Sequence, residues 1–206
     1  MIFSTTASKT THIKKNAGYF ANFIGLFLLL ASCFISSCQN KETADHTTTK
    51  PYFDLKGFFV HEIQTLNSKQ ARLNKTVWLN EREEKKSGMT ALNWENELAL
   101  FADADLNKAA FIGQYHTDTL PVAADTIGIV YTALKPDLRV QRAALYCSPD
   151  QKTVYRIDIK NKVRNPLYSS DEALYYIPQK EYGISNRQKV MWRKADSLSI
   201  KGVFLP

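Results

Sequence analysis

Residues 17–37 read AGYFANFIGLFLLLASCFISS, a run of 21 residues without a single charge. Ahead of it the chain is polar and carries Lys9, Lys14 and Lys15 but no Asp or Glu. A basic stretch followed by an apolar one is the layout of an export signal. A segment of this kind is removed or held in a bilayer, so it takes no part in a folded core. It confines the globular part to the rest of the chain and sets the expected organisation: signal peptide 1–37, polar tether 38–50, and one domain over 51–206. A single domain suits that length. The alternative for 17–37 is an uncleaved span, since about 20 apolar residues cross a bilayer.

Two cysteines close the run. Leu30-Ala31-Ser32-Cys33 and Ile35-Ser36-Ser37-Cys38 each place an aliphatic residue three before a cysteine, with two small residues between. Each resembles the lipobox of bacterial lipoproteins. The resemblance implies acylation of the thiol, cleavage before it, and anchoring by two or three acyl chains. Each buried CH₂ contributes about 0.8 kcal/mol, so several chains hold where one is marginal. Cys38 is the preferred site, with Cys33 the alternative. Cleavage at Cys38 leaves the polar Gln39-Asn40-Lys41-Glu42, whereas cleavage at Cys33 leaves Phe34 and Ile35 beside the anchor. The expected location is the cell envelope, lipid-anchored in the outer membrane, on its periplasmic or surface face. The run NPLYSS, the pair Tyr175-Tyr176 and the C-terminal Ile200-Lys201-Gly202 add a resemblance to small lipoproteins of the Bacteroidota type. That resemblance implies no particular activity.

The formal charge of +7 needs dividing. Three of the 27 basic residues and none of the 20 acidic ones precede Cys38, which leaves 24 against 20, a net of +4. That is an ordinary solubility charge, and it gives nucleic acid no place among the expected partners.

In the domain, Tyr52, Leu55, Phe59, Ile63 and Leu66 follow helical spacing after Pro51. Gly57 interrupts this helix at some cost. Residues 75–83 read as a strand and EREEKKSG as a charged turn. Asn93 then caps a second helix carrying Trp94, Leu98 and Phe101 on one face. From Ala109 the period changes to two. Strands are expected over 111–119 and 128–134, then in a hairpin over 139–163 that turns at Ser148-Pro149-Asp150. In that hairpin Arg156, Asp158 and Lys160 face outward. A last hairpin pairs 183–192 with 198–204, and NPLYSSDEALYY reads as a loop leading into a strand. The fold class is α+β, with N-terminal helices packed on a twisted antiparallel sheet, a meander of about six strands.

Chemistry-bearing motifs are sparse. His116-Thr117-Asp118 offers an orienting pair, but no GxSxG elbow accompanies it. No His/Cys/Asp spacing suggests a metal, and no cofactor motif is present. Asp103 and Asp105 read as solvated carboxylates, and Cys147 as a buried, inert thiol on a strand. Aromatic residues cluster instead: Tyr168, Tyr175, Tyr176, Tyr182 and Trp192 form the expected binding surface. The reading is a non-catalytic binding or interaction module, anchored to the membrane by lipid and facing an envelope protein. The alternatives are a carrier of a small hydrophobic ligand such as a lipid and, third, a hydrolytic enzyme. Labelling with a palmitate analogue tests the anchor: Cys38→Ala abolishes the label. A label that survives Cys38→Ala and disappears in Cys33→Ala moves the anchor to Cys33.

Overall fold

The computed structural model describes residues 50–205. The lipobox cysteines, the signal and residues 38–49 of the tether lie outside the described residues. Helix α1 (Leu55–Ser68) leads to strands β1 (Arg72–Leu79) and β2 (Arg82–Met89), then to helix α2 (Trp94–Ala102) and a single 3₁₀ turn (Ala109–Phe111). Seven strands follow without interruption: β3 (Tyr115–Ala123), β4 (Thr126–Ala133), β5 (Val140–Cys147), β6 (Val154–Arg164), β7 (Tyr168–Ile177), β8 (Glu181–Val190) and β9 (Asp196–Leu205). They form one antiparallel sheet of nine strands in the order β2-β1-β9-β8-β7-β6-β5-β4-β3. The chain is α+β, and its N-terminal hairpin joins the sheet through its C-terminal strand.

One strand before the second helix and a meander of about six after it are expected; the sheet has nine because two strands carry no readable alternation. The stretch expected as a charged turn is β2. It is an edge strand, exposed at every position but Met89, so no buried face marks it. Its pairing is fixed by β1, with Val77 opposite Glu84 and Leu79 opposite Arg82. The turn between them takes Asn80 at φ 53°, a conformation that asparagine tolerates. A charged edge also discourages pairing with another chain. The expected loop is β7. Its helix-side residues run Tyr168, Ser170, Glu172, Leu174 and Tyr176, and the two polar ones hide the period.

Helix α1 starts at Leu55, later than the spacing of Tyr52 suggests. Asp54 caps it, accepting from the Gly57 amide at 2.9 Å. A Cβ on Gly57 would meet that carboxylate at 2.3 Å, so glycine keeps room for the cap. Tyr52 sits before the helix, edge-on to Tyr115 and Tyr131. The Asn107 side chain holds its backbone from both sides.

The core lies between the helices and one face of the sheet. Register places Ile129, Leu145, Ile157, Tyr176, Tyr182, Gly202 and Lys75 in one row across seven strands. Phe59 of α1 and Phe101 of α2 stand on Tyr176, with ring centroids 5.0 and 5.8 Å away, and are 5.4 Å from each other. Burying such rings contributes about 2–3 kcal/mol each. The phenols end on helix carboxylates. Tyr176 donates to Glu62 Oε2 at 2.7 Å, and Tyr182 donates to Glu97 Oε1, which also takes Lys75 Nζ at 2.6 Å. Burial, and then the neighbouring carboxylate, pushes both phenols far above the ordinary tyrosine range.

Gly202 faces Tyr182 in this row, and a Cβ there would stand 2.0 Å from Cε1 of the ring. Tyr182 is fully buried and has nowhere to move. On the opposite face a Cβ on Gly183 would stand 2.1 Å from Cε1 of Tyr175, which is only half-buried and can swing away. Denaturant unfolding of the full chain separates the two: Gly202→Ala costs about 1–3 kcal/mol by overpacking. Gly183→Ala stays within about 1 kcal/mol of the parent.

Candidate functional site

The face of the sheet away from the helices carries the candidate site. The same register aligns Arg142, Lys160, Ala173, Ser185, Ser199 and Trp78 across six adjacent strands. A parallel row contains Asp158, Tyr175, Gly183 and Lys201. Small side chains in the middle of both rows leave a groove of about 510 Å³ between larger ones. A second hollow of about 480 Å³ shares Lys160, Ala173 and Ser185 and continues to Lys162, Asp171 and Arg187. Five strand spacings of about 4.8 Å separate Arg142 from Trp78, so the groove crosses roughly 24 Å of sheet.

Its electrostatics divide into a neutralised part and an open part. Arg156 grips Asp158 through Nε, at 2.9 and 3.0 Å, and its guanidinium lies 5.0 Å from the centre of the Tyr175 ring. Tyr175 donates to Glu181 at 3.1 Å, and Lys201 pairs with Glu181 at the same distance. Burial raises the Glu181 pKa, but the hydrogen bonds from Lys201 and Tyr175 outweigh it and hold this carboxyl below its ordinary range. The Tyr175 phenol is pushed up, by burial first and by Glu181 second. Arg142 and Lys160 stand opposite each other on β5 and β6, and among the described residues neither has a carboxylate within 4 Å. Like charges placed directly opposite cost stability. An anion placed between the two cations would relieve that repulsion.

The five aromatic residues expected to share one binding surface do not. Tyr176 and Tyr182 are both 0% exposed and belong to the core. The reason is the period of two: Tyr175 and Tyr176 are neighbours on one strand and therefore face opposite ways. Tyr175 is the member that lines the groove. Tyr168 is half-buried on the helix side, in a small polar hollow with Ser170, Glu172 and Asn186, and its hydroxyl donates to Gln188 at 3.2 Å. Trp192 is 93% exposed in the turn between β8 and β9.

His116 and Asp118 pair at 3.1 Å on the edge strand β3, with side chains 65% and 50% exposed. Cys147 is 0% exposed, and burial raises its thiol pKa. Asp105, expected in solvent, is buried and accepts from the Asn107 side chain at 3.2 Å. Among the described residues no group of three or more His, Cys, Asp or Glu is placed to hold a metal. No described helix is long and apolar enough to cross a membrane. Between helices and sheet the space is taken by Phe59, Phe101, Tyr176, Tyr182 and Phe204.

Arg142, Lys201 and Trp78 were missed as site residues by sequence reasoning. The outward alternation of Arg156, Asp158 and Lys160 was visible along one strand. Their alignment with other strands depends on register, which a single strand does not encode. Comparison with protein-family models, with curated proteins and with solved structures finds no match to this chain.

Proposed function

We propose that this chain is a lipid-anchored envelope lipoprotein whose domain is a non-catalytic binding module, taking an anionic ligand or partner along the outer face of its sheet. The observation that carries the reading is the unpaired Arg142–Lys160 couple at one end of a continuous groove. A central sheet face has its backbone hydrogen bonds already made, so recognition there rests on side chains and not on strand addition. The carrier reading needs an apolar cavity beneath the sheet, where aromatic rings already pack. The hydrolase reading needs a nucleophile beside His116, whose partner is Asp118.

Dextran sulfate, titrated into the full chain in detergent, serves as the polyanion probe. Binding weakens with added salt, and Arg142→Glu combined with Lys160→Glu reduces affinity by about tenfold or more. A parent chain that does not bind, or a double variant that binds as tightly as the parent, overturns the proposal.

A further inference from the structure

Four hairpin turns open at one end of the sheet: β1–β2, β4–β5, β6–β7 and β8–β9. Each presents a large apolar side chain to solvent, namely Leu79, Leu134, Leu167 and Trp192, with Val190 beside the last. The β6–β7 and β8–β9 turns are joined, since the Met191 amide donates to the Leu167 carbonyl at 2.9 Å. Leu167 is 62% exposed and Trp192 93%. Trp192 also sits in the left-handed region at φ 62°, where an L-residue is strained. At 93% exposure the Trp192 side chain packs on little of the fold and is open to a partner.

Cations stand beside Leu167 and Trp192, whereas Glu81 and Asp137 follow in the other two turns. Arg193 and Lys194 follow Trp192 in the same turn, and Lys189 and Arg164 flank Ser169 on the adjoining strands. Arg164 shares its charge with Asp171 at 2.6 Å. The apolar groups project from separate turn tips, which suits a soft planar partner better than a ligand or a helix. Tryptophan favours the interfacial layer of a bilayer, and Lys and Arg favour anionic headgroups.

The polypeptide also enters the domain at this end. Tyr52 rests on Tyr115 and Tyr131, and its hydroxyl accepts from the Gly113 amide at 3.0 Å, just before β3 begins. A chain arriving from a membrane attachment therefore reaches the domain on the side that carries the apolar turns.

We infer that this end of the sheet is a second membrane contact, distinct from the acyl anchor, in which Leu167, Val190 and Trp192 enter the interface of an anionic bilayer and Lys189, Arg193 and Lys194 meet its phosphates. It holds the groove face at a fixed attitude to the membrane. The test reconstitutes the full chain into phosphatidylglycerol–phosphatidylcholine vesicles with brominated acyl chains. Subtracting the emission of Trp192→Ala isolates Trp192, a fully exposed residue whose loss leaves the fold intact.

The expected result is a blue-shifted Trp192 emission, largely lost to the brominated lipid and protected from aqueous iodide. Arg193→Glu with Lys194→Glu, or replacement of phosphatidylglycerol by phosphatidylcholine, restores much of the emission. The Arg142→Glu and Lys160→Glu pair leaves it unchanged, so this inference and the groove reading fail separately. Emission open to iodide and indifferent to brominated lipid overturns the inference. So does protection that persists without lipid, in a detergent-solubilised dimer that Trp192→Ala dissociates.

Discussion

Two phenol–carboxylate hydrogen bonds hold the helices to the sheet, and the rest of the domain is arranged around them. Tyr176 reaches Glu62 on α1 and Tyr182 reaches Glu97 on α2, from adjacent strands in one buried row. Glu62 is buried and Glu97 largely so, and a carboxylate withdrawn from water without partners is costly. Each therefore fixes its helix in rotation as well as position, because only one face of the helix brings the carboxylate to a phenol. Phe59 and Phe101 then occupy the space between the two bonds, and Gly202 leaves room for the Tyr182 ring.

With one face of the sheet committed in this way, the other is left uncovered by the described helices. Between its bulges the sheet alternates, so Arg142, Arg156, Asp158, Lys160 and Lys201 collect on the uncovered face while Leu145, Ile157, Ile159 and Tyr176 feed the core. The modest net charge conceals this arrangement. Arg142 and Lys160 are ordinary residues in composition, and only the register that sets them side by side gives them a meaning. Asp158 and Glu181 neutralise Arg156 and Lys201 nearby, which leaves the unpaired couple as the electrostatic focus of the groove.

Where one side of a segment was apolar, the fold was legible. Helix α2 with its Asn93 cap and the hairpins β5–β6 and β8–β9 follow from spacing and turn chemistry alone. Strands β2 and β7 were not legible, for opposite reasons. An edge strand has no buried face to mark, whereas β7 places Ser170 and Glu172 on its helix side, where Asn186 and Asn161 receive them. The site was less legible than the fold. Residue type picked out the tyrosines, but the side of the sheet decided their roles, and it sent Tyr176 and Tyr182 inward and Tyr175 outward. Glu62 gave no sign in the sequence of being a core residue, since a carboxylate in the helical stripe reads as a solvated position until its phenol is known.

A double-mutant cycle on Glu62 and Tyr176, read by denaturant unfolding of the full chain, tests the helix–sheet hydrogen bond most directly. With Glu62→Met, which removes the acceptor at similar size, Tyr176→Phe and the pair, the account predicts a coupling of about 1 kcal/mol or more, the range for a buried hydrogen bond. Additive effects, with coupling below about 0.5 kcal/mol, would contradict the claim that this bond fixes helix α1 to the sheet.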